Sequence, residues 1–150
     1  MAKIILTTEI NAPIEKVFDA SRNIDLHKQS TSKTKEEAIA GRTSGLCEKG
    51  DTITWRARHF GMWQKLTVEI TEMNFPHSFE DKMVKGAFKT MHHVHCFEQK
   101  GQKTVMTDNF QYEVPLWILG KFVDKLFLEK YMRRFLIERN NFLKMICEEK

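Results

Sequence analysis

Between Glu37 and Val114, apolar and polar residues alternate segment after segment, and this period of two most narrows what the chain can become. Successive side chains of a strand point to opposite faces, so alternation predicts strands with one buried and one wet face. In the segment 52–60, Ile53, Trp55, Ala57 and His59 share a face. Gly61 marks a tight turn, after which Gln64, Leu66, Val68 and Ile70 oppose Lys65, Thr67, Glu69 and Thr71. Pro76 opens a further strand, with Phe79, Asp81 and Met83 against Glu80 and Lys82. Met91, His93, His95 and Phe97 then oppose His92, Val94, Cys96 and Glu98. Beyond a turn at Gly101-Gln102, Met106, Asp108, Phe110 and Tyr112 oppose Thr107, Asn109, Gln111 and Glu113. Strands this close in sequence, joined by short turns, indicate an antiparallel meander.

The two ends follow other patterns. Residues 3–10 alternate enough for a first strand, and Asn11-Ala12-Pro13 reads as a helix start. Ile14, Val17 and Phe18 fall at i, i+3 and i+4, one helical face, and a second short helix is expected at about Ile24 to Gln29. After Pro115 the period becomes 3.6: Leu119, Phe122, Val123, Leu126, Met132, Phe135, Phe142, Leu143 and Ile146 read as one stripe. A helix over 116–146 would be about 45 Å long, enough to cross a sheet. The expected class is α+β: a curved antiparallel sheet of about seven strands, two short helices after the first strand, and a long C-terminal helix. No repeat or Pro/Gly-rich linker divides residues 1–150, which read as a single domain.

Composition excludes several function classes. The chain is 41% hydrophobic and 29% charged, too apolar for disorder. Lys and Arg outnumber Asp and Glu by only 24 to 20, and the signs are interspersed, so no nucleic-acid partner is expected. The longest uncharged apolar run, Leu116 to Leu119, falls far short of the ~18 residues of a membrane span. Residues 115–139 hold six Lys or Arg against three Asp or Glu. With Trp117 and Phe122 nearby, transient contact with an anionic membrane is one reading; a solvated helix face is the plainer one. Cys47, Cys96 and Cys147 are odd in number and far apart, which fits free thiols in a reducing cytoplasm.

The order of elements, headed by Ile10-Asn11-Ala12-Pro13-Ile14-Glu15-Lys16-Val17-Phe18, resembles the helix-grip superfamily. That group includes lipid-transfer START domains, the birch-pollen-allergen family and polyketide cyclase/dehydrase-like proteins. Asp51 to Gln64, Glu80 to His95 and Tyr112 to Leu119 are most similar to the bacterial cyclase/dehydrase-like branch. The resemblance implies a sheet gripping the C-terminal helix around a cavity for an apolar or amphipathic small molecule. Carriers, receptors and enzymes share this fold, so function must be argued from the site.

Taking the face richer in large apolar residues as inward, its polar members are His59, Gln64, Asp81, His93, His95, Asp108 and Tyr112. They share it with Trp55, Phe79, Met83, Met91, Phe97, Met106 and Phe110. An apolar lining with a few orienting polar groups is the make-up of a small-molecule pocket; the plainer reading is polar groups satisfying one another in a core. Phe122 and Leu126 extend the expected ligand-binding set onto the helix.

His93 and His95, two apart on a strand, point the same way and could share an ion with His59 or Asp108. A hydrogen-bonded His/Asp network is the preferred reading, and neither metal nor other cofactor is expected. Acid–base chemistry would use a His held by Asp108 or Asp81, with Tyr112 or Gln64 donating to an enolate oxygen. His93, Asp108 and Tyr112 are the catalytic candidates. No nucleophile elbow, Gly-rich phosphate loop or His-Glu-x-x-His is present, which argues against covalent, nucleotide and metalloprotease chemistry. Arg139, on the helical stripe, reads as a buried Arg paired to a carboxylate before it reads as an anchor for a ligand's carboxylate. The expected function is therefore binding of a lipid- or polyketide-like small molecule, as carrier or sensor. Cyclase/dehydratase-type catalysis is the alternative.

Overall fold

Each alternating segment is a strand in the computed structural model, which describes residues 1–116 and 125–149. The strands are β1 (Ala2–Ile10), β2 (Glu37–Gly41), β3 (Thr52–His59), β4 (Met62–Asn74), β5 (Ser78–Lys85), β6 (Thr90–Lys100) and β7 (Lys103–Glu113). They form one seven-stranded antiparallel sheet in the order β1-β7-β6-β5-β4-β3-β2. Helices α1 (Ile14–Ser21) and α2 (Ile24–Ser30) follow β1, and α3 (Lys125–Glu148) packs along β1. The α+β expectation holds, including the two short helices and the long C-terminal one.

Local chemistry accounts for the joints. The β3–β4 hairpin turns on Phe60 and Gly61, with φ of 53° and 76°, the left-handed pair that a two-residue type I′ turn needs. Asn23 caps α2, its side chain accepting from the backbone N–H groups of Asp25 and Leu26. The β4–β5 register slips between Thr67 and Val68 and again between Ile70 and Glu72. Such bulges bend a strand, and two of them in a 13-residue strand help curl the sheet around α3. At the edges, β2 is only five residues long and slips register between Ala38 and Ala40. Beside β1, Lys144 Nζ donates to the Glu9 carbonyl at 2.6 Å, and Glu148 accepts from the Asn11 N–H at 2.8 Å.

The interior divides into two apolar clusters. One surrounds Phe18, whose ring meets Phe75, Phe79 and Phe97 edge-on at 5.1, 5.4 and 5.2 Å. Ile10, Met106, Leu143 and Cys147 complete it. The other gathers Ile4, Ile53, Trp55, Val68, Met91 and Phe110 under Leu128 and Leu136.

Helix α3 corrects the sequence reading of its stripe. Its buried residues are Leu128, Leu136, Arg139, Asn140, Leu143 and Cys147, whereas Leu126 is 62% exposed. Leu126 and Met132 are six residues apart, about 240° around a helix at 100° per residue, so they never shared a face. The expected stripe changed phase between them. Leu119, Phe122 and Val123 lie outside the described residues.

Candidate functional site

Between the concave sheet and α3 lies a cavity of about 900 Å³. Of the expected set, Trp55, His59 and Gln64 form its wall on β3 and β4, while Phe79, Asp81, Met91, His93, His95 and Phe110 line it on β5 to β7. Five expected members fall elsewhere. Met106 is fully buried in the Phe18 cluster, and Met83 packs at the margin of the other cluster. Tyr112 is buried against Phe88 and Phe110, at 5.3 and 5.6 Å between rings. Asp108 has no exposed surface and lies behind the histidines. For Met106, Asp108 and Tyr112 the reason is position in the sheet: β7 sits beside β1, where α3 packs down. Leu126 faces away, as above, and Phe122 lies outside the described residues.

A polar cluster occupies the seam between the two apolar clusters. His95 stacks on Phe79 at 4.1 Å and on His93 at 3.7 Å, and His93 meets Phe110 edge-on at 5.2 Å. His93 Nε2 lies 2.8 Å from Asp108 Oδ1, and His95 Nε2 lies 2.9 Å from Asp81 Oδ2. His95 Nδ1 is 3.4 Å from Asp108 Oδ1, within ion-pair reach but not aligned as a hydrogen bond. Arg139 approaches Asp108 from α3 at 3.5 Å and donates to Ser21 Oγ at 3.3 Å, while Asn140 donates to Asp108 Oδ2 at 2.7 Å. Arg139 is thus paired to a carboxylate, the preferred reading of the sequence.

Burial disfavours every charge here, and the partners decide which survive. Burial pushes the Asp108 carboxyl up, but the bond from His93, the close approach of His95 and the Arg139 charge outweigh it and hold it well below the usual carboxylate range. Asp81 is lowered by the same contest, chiefly through His95. For His93, burial and the neighbouring His95 charge prevail, bringing its pKa down to about 4. Burial pulls His95 down too, yet the facing carboxylates of Asp108 and Asp81 raise it overall. With His93 neutral, the carboxylates of Asp81 and Asp108 face Arg139 and a His95 whose charged form they favour. Asp81, His93 and His95 offer ligand atoms within 4.8 Å of one another, close enough to share an ion. Both imidazoles, however, direct Nε2 at separate carboxylates, the geometry of a hydrogen-bonded network. His59, weighed from sequence as a third ligand, is bonded elsewhere.

That bond belongs to a second polar group, mostly missed in the sequence. His59 Nδ1 lies 2.6 Å from the Tyr131 hydroxyl. His27 stacks on Trp55 at 4.3 Å and places Nε2 2.9 Å from Glu36 Oε1. Glu36 Oε2 is buried without a hydrogen-bond partner among the described residues. Burial lowers the His59 pKa and raises that of Tyr131, keeping both neutral. All four residues line the cavity. A strand-face argument cannot find His27 or Glu36, which come from α2 and the residue before β2. Tyr131 was findable: it sits three residues after Leu128 and four before Phe135, on the same helical face.

A curled antiparallel sheet closed by a C-terminal helix over an apolar cavity defines a helix-grip protein. The chain belongs to the polyketide cyclase/dehydrase and lipid transport family, whose model matches residues 1–144. Its structure is similar to that of a Thermus thermophilus protein, with TM-score 0.78, 19% identity and coverage of 96% of this chain and 95% of that one. A START superfamily protein from Mycobacterium smegmatis follows it with TM-score 0.75 and 14% identity over 97% of each chain. The major latex-like protein 151 of Panax ginseng gives TM-score 0.70 and 18% identity over 99% of this chain and 98% of that one. No curated protein matches the chain in sequence.

Proposed function

We propose that residues 1–150 act as one ligand-binding domain, which carries or senses a hydrophobic or amphipathic small molecule of lipid or polyketide type. The observation that carries this reading is the cavity of about 900 Å³, walled by Trp55, Met91, Phe110, Met132 and Leu136. It falls within the ~300–1,000 Å³ of small-molecule sites, and its lining matches their apolar make-up. Most polar atoms of the cluster bond within it, His95 Nδ1 and Asn140 Oδ1 being exceptions among the described residues, so it presents few unmatched groups to an apolar guest. Among the described residues, no helix is long and apolar enough to cross a membrane. The unpaired thiols of Cys47, Cys96 and Cys147 suit a reducing compartment, and we place the protein in the cytoplasm.

The test is Nile red binding, followed by displacement with fatty alcohols, sterols and aromatic polyketide mimics, with thermal unfolding in parallel. A ligand present at a hundredfold excess over its Kd adds ~2.7 kcal/mol of stability. Met132→Trp, which narrows the cavity from α3, is expected to weaken dye binding in a folded protein. Dye affinity unchanged in Met132→Trp, or a wild type that binds nothing, overturns the proposal.

One observation favours a second reading. His93 lines the cavity and is held by Asp108 at 2.8 Å. With Asp108 ionised the shared proton resides on His93 Nε2, leaving Nδ1 as a lone pair able to take a proton alpha to a carbonyl. Turnover of a bound polyketide mimic that drops ~10²–10⁴-fold in His93→Gln, with affinity retained, would establish this cyclase-type reading.

A further inference from the structure

The cavity's donors and acceptors do not balance, and the imbalance bears on what the guest carries. Arg22 is held by Asp19 and Glu48, each at 2.9 Å, and also donates to the Cys47 carbonyl. Arg139 is held by Asp108 and Ser21. Lys65, the remaining cation on the wall, is exposed to solvent. His95 is held by Asp81 at 2.9 Å with its Nδ1 3.4 Å from Asp108, so the buried cations already face carboxylates or other acceptors of the protein. On the acceptor side, Glu36 takes one hydrogen bond, at Oε1 from His27, and Oε2 has none among the described residues. The Glu36 side chain is only 9% exposed, so water reaches it poorly. A buried acceptor left unpaired costs more than a made hydrogen bond gains, and a carboxylate oxygen is the costlier case.

Resting on the ligand-binding reading, we infer that the natural guest carries a hydroxyl group that donates to Glu36 Oε2. Trp55, beneath His27, and Phe135, beside His59, receive the adjoining apolar body. The preferred class is an alcohol or phenol with a hydrocarbon skeleton. A fatty acid brings a third carboxylate to a wall that already presents Glu36 and Asp81, and finds no buried cation without a partner.

Three ten-carbon probes isolate the donor: 1-decanol, its methyl ether and decanoate at pH 8, each displacing Nile red. The alcohol and ether differ in the ability to donate. Wild-type protein is expected to bind the alcohol roughly tenfold more tightly than the ether, the value of a hydrogen bond to a charged acceptor, with decanoate weakest. In Glu36→Gln the side chain gains a donor that the ether can use. The alcohol-to-ether ratio should then fall to within about twofold while Nile red binding persists. Equal wild-type affinities for alcohol and ether would mean that water satisfies Oε2, and would overturn the inference alone. A ratio that survives Glu36→Gln would overturn it equally, by moving the donor's partner elsewhere. Absence of binding by any probe and by the dye would instead remove the ligand-binding reading on which it rests.

Discussion

Two polar groups lie in the same cavity wall and are built in opposite ways. The cluster around Asp108 joins three strands, α1 and α3, and sets its carboxylates against cations and donors of its own, leaving His95 Nδ1 and Asn140 Oδ1 unbonded among the described residues. The group around Glu36 draws on α2, the β2 entry, β3 and α3, and leaves a buried oxygen unmatched. Their α3 members, Tyr131 and Arg139, stand eight residues or about 12 Å apart along the helix. The contrast separates architecture from recognition. A network whose carboxylates are engaged within it fixes the register of the elements that meet at it, whereas a carboxylate oxygen left unmatched awaits a partner from outside.

The largest effect should come from breaking the closed network. Asp108→Asn leaves Arg139 and His95 buried without their shared counter-charge, an arrangement that costs on the order of 3–5 kcal/mol. Urea denaturation measures this, and a loss below about 1 kcal/mol would show that the network contributes little to architecture. Titration sharpens the contrast at intermediate size. Because the folded His95 pKa is raised, its contribution is full below about pH 6.5 and is lost as pH climbs through the folded value. His93 acts on the acid side: its pKa is lowered to about 4, so stability falls as pH drops from about 6.5 towards that value. Urea midpoints across pH 4 to 9 should show both limbs, and His95→Gln should flatten the alkaline one. An alkaline limb unchanged in the variant would remove His95 as its source. The smallest effects belong to the open group. Tyr131→Phe loses one neutral bond, about 0.5–1.5 kcal/mol, and Glu36→Gln should lie at or below that range because one of its oxygens was unpartnered. If Glu36→Gln costs as much as Asp108→Asn, the two groups are not built differently.

The sheet was legible because period two is enforced residue by residue wherever one face is buried. Thus Trp55, Phe79, His93 and His95 could be placed on the inner face without knowing their neighbours. What alternation does not report is how deep a residue lies along the sheet. Asp108, Met106 and Tyr112 share the inward side with Phe110, yet only Phe110 reaches the cavity, because α3 lies over the β1–β7 side. Helical phase was lost at Leu126, where an apolar residue on the exposed face mimicked the buried stripe. Glu36 and His27 were invisible for another reason: one lies in the loop before β2 and the other in a short helix, and tertiary packing alone brings them to Trp55.

The two flanks of the sheet have a consequence for the protein among its own copies. A strand with open N–H and C=O groups is a template on which a neighbouring molecule can grow ordered aggregates. Here β2 offers five residues interrupted by a slip at Ala38/Ala40, too short and uneven to seed such growth. On the far flank, α3 lies along β1, with Lys144 capturing the Glu9 carbonyl and Glu148 the Asn11 N–H. Freeing that flank by loosening the last turn of α3 would expose a nine-residue strand to intermolecular pairing. The helix that closes the cavity therefore also guards against fibrillar self-association, and colloidal stability and ligand retention hang on the same element.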